Sequence, residues 1–309
     1  MSIALIFENK DPKPWAKILQ EKIPDTKVEI YPDVQNQHAI DFVICWKPKP
    51  NILKEFPNIK VIQSVGAAID HITSSQTLEN HHIITRIVDN KLSNDMWEFL
   101  LTVILSQLKN NTIYARQQQT KIWTQHSYAS IKDTTISILG LGSIGGHVAK
   151  KFAELGFKVK GWSTSEKDIL NVESFSEKEV LNPFLKDSDF LINLLPLTEK
   201  TEGILNKELL KKLPKNTFLI NVGRGEHLIE EDLIELLDNG DLSGALLDVF
   251  REEPLPEKHS FWQHPKIQIT PHVASLTNIE SATDQIVENH RLFLNKKELL
   301  NTVKLEKGY

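Results

Sequence analysis

The hexapeptide GLGSIG, Gly140–Gly145, directly follows the apolar run ISIL, Ile136–Leu139, and precedes a run with the apolar spacing of a helix. Gly140 permits a tight turn, Gly142 allows an anion to approach the backbone, and Gly145 allows the helix to pack closely on the strand. The first N–H groups of such a helix face the anion. Strand, glycine turn and helix in this order therefore predict a pyrophosphate-binding turn in a parallel α/β sheet.

The next predicted strand ends at Trp162 and is followed by hydroxyl side chains rather than by a carboxylate. In dinucleotide-binding folds, an acidic residue about 20 residues after the glycines binds the ribose 2′-hydroxyl. Ser163 occupies that position, 21 residues after Gly142. No carboxylate there would repel a 2′-phosphate, so we expect NADPH to be preferred, with NADH as the alternative. The candidate cofactor contacts are Ser143 and Ile144 at the helix start and Ser163, Thr164, Ser165 and Lys167 after the strand.

Strand and helix patterns alternate along the whole chain, which predicts an α/β fold with parallel sheets. In the first third, four short β-rich runs are expected as strands: Ala4–Phe7, Val28–Tyr31, Asp41–Trp46 and Lys60–Ser64. Ser93–Arg116 has no Pro or Gly and predicts one long helix. From Thr135 onward the alternation restarts and predicts a doubly wound sheet of about six strands.

The length of 309 residues predicts two domains, at roughly 150 residues per domain. The chain has 36 Lys and Arg against 41 Asp and Glu, and this net charge of −5 argues against nucleic-acid and membrane partners. The single cysteine, Cys45, excludes a disulfide framework and favours a reducing compartment. The run Met1–Phe7 has no basic segment and is short, so a cytoplasmic protein is expected. We expect no metal site, because His81–His82, His259 and His264 lack accompanying ligands.

Three side chains able to catalyse polar reactions follow predicted strand ends in the second half of the chain. They are Arg224, Glu253 and His272. Open α/β sheets place their chemistry at the carboxyl ends of strands. Each residue alone is also compatible with a structural role, as a turn cap, a surface charge or a core histidine. Their joint placement in this order favours a catalytic site.

At this point the chain resembles the D-isomer-specific 2-hydroxyacid dehydrogenases, and within them the glyoxylate/hydroxypyruvate reductase A group. The resemblance covers nearly the whole chain. Besides the glycine turn, the motifs that carry it are Trp46 with Pro48, SVGAAID at Ser64–Asp70, LLPLT at Leu194–Thr198, NVGRG at Asn221–Gly225, DVFREEPL at Asp248–Leu255, TPHVA at Thr270–Ala274 and the terminal Gly308-Tyr309. Together these motifs are highly specific.

The resemblance implies reduction of a small 2-keto acid, such as glyoxylate or hydroxypyruvate, by hydride transfer from a nicotinamide cofactor. His272 would donate a proton to the carbonyl oxygen, and Glu253 would hold its imidazole, because a neighbouring carboxylate favours the protonated ring. Arg224 would bind the substrate carboxylate and polarise the carbonyl. The backbone N–H groups of Val65, Gly66 and Ala67 would also bind the carboxylate.

The family pattern implies further pocket and cofactor contacts. Trp46, together with Trp262 as a second candidate, would form a wall that limits substrate size. Asp248 is expected to accept a hydrogen bond from the nicotinamide carboxamide. The cofactor would also be lined by Leu195, Pro196 and Val222.

The resemblance also implies the domain organisation and the assembly. Residues 1–98 and 275–309 would form a flavodoxin-like substrate domain, into which a Rossmann cofactor domain of residues 99–274 is inserted. Both would be doubly wound parallel sheets. A homodimer is expected, formed through the long helix and its arm, Ser93–Tyr128.

Three other functions remain open at the level of sequence. The first is a dehydrogenase of the same family that uses NAD with D-lactate, D-glycerate or 3-phosphoglycerate. The second is a non-catalytic NAD-sensing module like the corepressors that share the fold. The acidic balance and the intact Arg224, Glu253 and His272 argue against this module. The third is an enzyme of different chemistry, such as an adenosine-cofactor methyltransferase with a similar glycine turn, in which the segments Asp248–Leu255 and Pro271-His272 would have no role.

Overall fold

The computed structural model describes residues 2–176 and 181–304. It divides into two compact units. Unit 1 consists of Met1–Asn90 and Thr277–Tyr309, and unit 2 of Lys91–Leu276. The motif Gly308-Tyr309 lies outside the described residues.

Strands and helices alternate in both units. In chain order the strands are β1 Ser2–Phe7, β2 Lys27–Ile30, β3 Ile40–Trp46, β4 Val61–Ser64, β5 Ile83–Thr85, β6 Thr135–Leu139, β7 Lys158–Ser163, β8 Val172–Ser176, β9 Phe190–Asn193, β10 Phe218–Asn221, β11 Gly244–Leu247 and β12 Ile267–Ile269. The helices are α1 Lys13–Lys22, α2 Asp70–Thr73, α3 Asn90–Leu108, α4 Asn111–Thr120, α5 Ser143–Glu154, α6 Leu181–Leu185, α7 Lys207–Leu210, α8 Glu230–Asp238 and α9 Ile279–Leu294. None of these helices has the length and apolar character needed to cross a bilayer.

Unit 1 contains a parallel sheet with the strand order β2-β1-β3-β4-β5. This is the order of flavodoxin-like folds. The central strands are apolar on both faces, as parallel strands covered by helices require. One face packs on α1 and α9 through Trp15, Leu19 and Ile286, which are fully buried.

Unit 2 contains a parallel sheet with the order β12-β11-β10-β9-β6-β7-β8. The strand order reverses at β6, and the glycine turn follows this strand. Apolar clusters cover both faces of the sheet, one centred on α8 and the other on α3 and α5. The carboxyl ends of β10, β11 and β12 lie side by side at one edge of the sheet, so residues that follow these strands are brought together. The expected fold class, two parallel-sheet α/β domains, is confirmed.

Three local features differ from the sequence-based expectations. The expected single helix Ser93–Arg116 is two helices, because Asn110 adopts a left-handed conformation with φ +59° between α3 and α4. The sheet of unit 2 contains seven strands among the described residues rather than about six, since β8 had not been predicted. Unit 2 begins eight residues before the expected boundary, where Met96 of α3 belongs to its core, and ends two residues after it.

Candidate active site

His272 and Glu253 form a hydrogen-bonded pair in unit 2. His272 follows the last strand, β12, and its Nδ1 lies 2.9 Å from Oε2 and 3.1 Å from Oε1 of Glu253. Both side chains are partly exposed, 35% for the imidazole and 22% for the carboxylate. Glu253 is held in turn by the N–H of Phe250, 3.2 Å from Oε1. The contact leaves a partly accessible imidazole oriented by a carboxylate, which is the arrangement of a general acid.

The turn that carries His272 is held by Asp248, which follows β11 and is buried. Its Oδ1 accepts hydrogen bonds from the Thr270 hydroxyl at 2.6 Å and the Val273 N–H at 2.9 Å, and its Oδ2 accepts the Ala274 N–H at 3.0 Å. His272 itself has φ +53°, a left-handed conformation that few residues other than glycine adopt. The carboxylate therefore positions a strained turn. This role of Asp248 was not anticipated, and the hydroxyl of Thr270 two residues before the histidine was its only sequence signal.

Arg224 follows β10 and is half-buried. Its Nη1 donates to the Gly223 carbonyl at 2.8 Å, and its backbone N–H donates to Nδ1 of His227 at 3.1 Å. The next residue, Gly225, packs so closely on the backbone of Phe250 that a Cβ atom would lie 2.0 Å from its carbonyl carbon. Only glycine allows the two backbones to come this close. The Arg224 segment therefore packs against the segment that leads to Glu253.

A buried polar network behind Arg224 had escaped the sequence reasoning. Asn193, the last residue of β9, donates through Nδ2 to Oδ1 of Asn221 at 2.9 Å and contacts Nδ1 of His227 at 2.8 Å. His227 Nε2 lies 3.3 Å from the Pro196 carbonyl oxygen. Because Nδ1 of His227 faces the N–H donors of Asn193 and Arg224, Nε2 carries the proton and donates to Pro196. The network links Arg224 to the Leu194–Thr198 segment, and polar residues ending two buried strands were the signal that could have revealed it.

The glycine turn fits a pyrophosphate. Gly140 has φ +101°, and a Cβ atom on Gly145 would lie 1.8 Å from the Gly140 carbonyl oxygen, so both positions require glycine. A Cβ atom on Gly142 would meet nothing within 4 Å, so the turn leaves space for a ligand. No side chain caps the first turn of α5, where Ser143 and Ile144 lie. The uncapped N–H groups and the positive end of the helix dipole favour an anion here.

The remaining expected cofactor residues lie near this turn. The Gly140 N–H donates to the Trp162 carbonyl at 2.8 Å, so the end of β7 lies beside the turn. Ser163 donates its hydroxyl to the Ser165 carbonyl at 2.7 Å, and Ser165 and Thr164 are exposed. Leu195, Pro196 and Val222 follow β9 and β10, the strands next to β6 on one side.

The expected substrate loop lies in unit 1, directly after β4. The Val65 N–H donates to the Cys45 carbonyl at 3.2 Å, and the Gly66 N–H donates to the Ser64 hydroxyl at 3.1 Å. The Ala67 N–H has no acceptor among the described residues. Trp46 ends β3 and borders the loop, because a Cβ atom on Gly66 would lie 3.0 Å from its indole ring. Its packing accounts for glycine at position 66.

Two other tryptophans, of which Trp262 was the second expected wall residue, are placed differently. Trp262 is half-exposed and donates from Nε1 to the Pro256 carbonyl at 2.9 Å, and Trp123 is 97% exposed. Met96 is buried in the core of unit 2. Among the described residues, no group of three or more His, Cys, Asp or Glu side chains that could hold a metal ion is present.

Comparison with known proteins places this site in a family. Residues 101–274 match the model of the D-isomer specific 2-hydroxyacid dehydrogenase NAD binding domain. The chain belongs to the D-isomer specific 2-hydroxyacid dehydrogenase family. A relative from Yersinia enterocolitica, named glyoxylate/hydroxypyruvate reductase A, is 36% identical over the full length of both chains. The resemblance identified from the motifs is thereby confirmed.

Solved structures of family members agree with the whole fold. A D-isomer specific 2-hydroxyacid dehydrogenase from Xanthobacter autotrophicus, in complex with NADPH and MES, has a TM-score of 0.94 and 31% identity, covering 100% of this chain and 99% of that one. An NADPH-dependent glyoxylate/hydroxypyruvate reductase from Sinorhizobium meliloti, in complex with NADP and sulfate, has a TM-score of 0.92 and 32% identity, with the same coverage.

Proposed function

We propose that this dehydrogenase reduces glyoxylate and hydroxypyruvate to the corresponding 2-hydroxy acids with NADPH. The observation that carries the proposal is the hydrogen-bonded pair of His272 and Glu253, which follows the carboxyl ends of adjacent strands in the sheet that also carries Arg224. The relatives named as reductases of these two substrates support the substrate class.

His272 acts as the general acid in this proposal. When bound, the reduced nicotinamide supplies the hydride that reaches the carbonyl carbon. Nδ1 of His272 is bonded to Glu253, so Nε2 is the nitrogen that donates a proton to the carbonyl oxygen. Glu253 fixes the orientation of the ring through its contact with Nδ1. The Asp248 hydrogen bonds keep the His272 backbone in the conformation that this contact requires.

Each unit offers its own candidate partners for a substrate carboxylate, Arg224 in unit 2 and the loop after β4 in unit 1. The guanidinium matches a carboxylate with two parallel N–H donors. In the loop Val65–Ala67, the Ala67 N–H is the donor without an acceptor among the described residues, so it contributes the backbone hydrogen bond. Gly66 keeps the loop free of a side chain at this point, and Trp46 restricts the size of the substrate.

NADPH is the proposed cofactor. The segment that follows β7 supplies the hydroxyls of Ser163, Thr164 and Ser165 and the exposed cation Lys167. This cation attracts a negatively charged 2′-phosphate. The first carboxylate in the sequence after β7 is that of Glu166, so residues 163–165 carry no charge that would repel the phosphate. Relatives crystallised with NADPH or NADP support this preference.

A cytoplasmic location and a homodimer complete the proposal. The single cysteine, Cys45, is free and fully buried, as expected for a protein of a reducing compartment. The segment that follows α4 leaves Trp123 and Tyr128 exposed, and large exposed apolar residues of this kind favour a protein contact.

Initial rates of cofactor oxidation test the activity. The purified protein is offered glyoxylate, hydroxypyruvate and pyruvate, each with NADPH and separately with NADH. We expect the highest kcat/KM for the first two substrates with NADPH. Turnover with NADH alone would overturn the cofactor assignment, and turnover of D-lactate, D-glycerate or 3-phosphoglycerate with NAD would overturn the substrate assignment. Cofactor binding without turnover of any 2-keto or 2-hydroxy acid would instead favour a sensing module.

The variant His272→Asn tests the general acid. Asparagine adopts the left-handed conformation of this position more readily than alanine, so the turn is retained. We expect kcat to fall by about 10²–10⁴-fold, the range typical of a lost general acid. His38→Asn, at an exposed histidine of unit 1, is the control and keeps the activity of the unmodified enzyme. A fully active His272→Asn enzyme would refute the role.

A further inference from the structure

A single hydroxyl group holds the substrate loop of unit 1 at two points. Ser64 is fully buried at the end of β4, and its Oγ accepts the Gly66 N–H at 3.1 Å. The same Oγ lies 2.8 Å from the Ala68 carbonyl oxygen, to which it donates its proton. The two bonds lie on either side of Ala67, whose N–H points to no acceptor among the described residues. The position of this N–H therefore depends on the Ser64 hydroxyl.

The orientation of the Ser64 hydroxyl depends on His71 of α2. Nε2 of His71 lies 3.1 Å from Ser64 Oγ, and Nδ1 accepts the backbone N–H of Lys47 at 3.2 Å. Because Nδ1 is the acceptor, the proton of the neutral ring is on Nε2, and the ring donates to Ser64. The hydroxyl then accepts from two donors, which directs its own proton to Ala68. The Gly66 carbonyl oxygen, at 3.3 Å from Oγ, is a second and more distant acceptor for the same proton.

His71 also holds the strand end that carries Trp46. The imidazole and the Trp46 indole are in contact, with ring centroids 5.1 Å apart. Lys47, whose N–H His71 accepts, has φ +44°, an unfavourable conformation for a lysine. A specific partner is needed to maintain such a conformation. One imidazole thus connects the end of β3, with the wall residue Trp46, to the loop after β4.

We propose that His71 is a positioning residue for substrate binding, acting through Ser64 on the Ala67 N–H and through Lys47 on Trp46. The proposal rests on the assignment of the Val65–Ala67 loop to the substrate carboxylate. His71 does not contact the reacting atoms. Its loss therefore weakens substrate binding in the ground state and the transition state alike, which raises KM and leaves kcat nearly unchanged.

His71→Phe tests this role. Phenylalanine keeps an aromatic ring against Trp46 but removes both hydrogen bonds. We expect the KM for glyoxylate to rise by about five- to twentyfold, the effect of one to two neutral hydrogen bonds, while kcat changes less than about twofold. The KM for NADPH stays unchanged, because the glycine turn lies in the other unit. His81→Phe, at an exposed histidine of the same unit, is the control and leaves all three parameters unchanged.

Epistasis with Ser64 distinguishes positioning from general loss of stability. If His71 acts through the hydroxyl, Ser64→Ala raises the KM for glyoxylate, and the double variant is little worse than the more affected single variant. His71→Gln, whose amide offers one acceptor and one donor, restores part of the affinity. Thermal unfolding of each variant verifies that it is folded.

Three results would overturn the proposal. They are an unchanged KM in folded His71→Phe, effects of the two substitutions that multiply in the double variant, and a loss confined to kcat. Absence of glyoxylate turnover in the unmodified enzyme is a different outcome, because it contradicts the proposed function itself. If the KM for glyoxylate rises on substitution of Arg224 but not on substitution of His71, the proposed function is retained and the positioning role of His71 is rejected.

Discussion

At the scale of single residues, contact with the carboxylate of Glu253 distinguishes His272 from an ordinary partly exposed histidine. Both of its oxygens lie within 3.1 Å of Nδ1. In Glu253→Gln the hydrogen bond from the ring persists through the amide oxygen, but the negative charge beside the ring is lost. We expect kcat to fall by about 10²–10³-fold with little change in KM, because only proton donation is affected.

The neighbouring carboxylate of Glu252 provides the matched control. Its side chain is exposed, and Glu252→Gln removes the same charge one residue away. We expect this variant to keep its kcat within about twofold, since exposed charges separated by solvent interact weakly. Equal losses in the two variants would mean that net charge near the site, rather than the contact with His272, sets the rate.

The same scale shows what a sequence can reveal about a site. Arg224, Glu253 and His272 were selected because charged residues just after apolar strands are conspicuous, and the structure places His272 and Glu253 in contact. The network of Asn193 with His227 was missed. Those two residues are 34 positions apart, and their contact depends on the pairing of β9 with β10, which no local pattern contains.

At the scale of elements, the turn between β6 and α5 separates a structural glycine from a ligand-binding one. A Cβ atom on Gly145 would collide with the Gly140 carbonyl, whereas one on Gly142 would occupy open space. We expect Gly145→Ala to lower the free energy of unfolding by about 1–3 kcal/mol, the usual cost of overpacking. Gly142→Ala should cost about 1 kcal/mol or less, the difference between glycine and alanine at an N-cap.

For cofactor affinity we expect Gly142→Ala to have a large effect, although its effect on stability is small. The added methyl group occupies the space next to the first N–H groups of α5, so we expect the KM for NADPH to rise at least tenfold in the stable Gly142→Ala protein. Urea unfolding and cofactor titration measure the two effects separately. Unchanged NADPH affinity in Gly142→Ala would remove the pyrophosphate from this turn.

A second element-scale prediction concerns α9, which packs His290 against β3. His290 is buried, its ring contacts that of Phe42 at 5.6 Å, and its Nε2 has no partner among the described residues. Burial lowers the pKa of His290, with a smaller opposing effect of the Asp41 charge. The folded state therefore binds the proton less readily than the unfolded state, whose histidine has a pKa near 6.5. Stability is complete above that pH and decreases as the pH falls below it.

Urea unfolding at pH 7.5 and pH 5.5 measures this dependence. We expect the midpoint to fall between the two pH values in the unmodified protein and to fall less in His290→Gln, which cannot be protonated. His38→Gln removes an exposed histidine and should keep the full dependence. An identical pH dependence in His290→Gln would assign the effect to other groups, among them Asp41, whose own pKa is raised by burial.

The more deeply a strand is buried, the more clearly its sequence predicted it. Strands that are fully buried, such as β9 and β10, appear in the sequence as continuous apolar runs, the pattern from which the sheet after Thr135 was predicted. Strand β8, VESFS, lies at the edge of the sheet and is only partly buried, so it lacks an apolar run. The break at Asn110 was also invisible, because asparagine adopts a left-handed conformation without the glycine or proline that normally signals a helix end.

At the scale of the whole molecule, the segment from α4 to Tyr128 determines the expected assembly. Trp123 is 97% and Tyr128 70% exposed, and the segment that carries both rings is largely exposed. Aromatic side chains bury about 150–250 Å² each and dominate stable interfaces, so a second copy of this chain is the expected partner.

We expect the unmodified protein to sediment as a dimer at micromolar concentration, and the double variant Trp123→Gln with Tyr128→Gln to sediment as a monomer. Leu170→Gln, at a leucine that is 80% exposed elsewhere in unit 2, is the control and stays dimeric. The monomeric variant should still bind NADPH, because the glycine turn and the segment after β7 lie within a single unit. A monomeric unmodified protein, or a double variant that remains a dimer, would show that this segment does not form the interface.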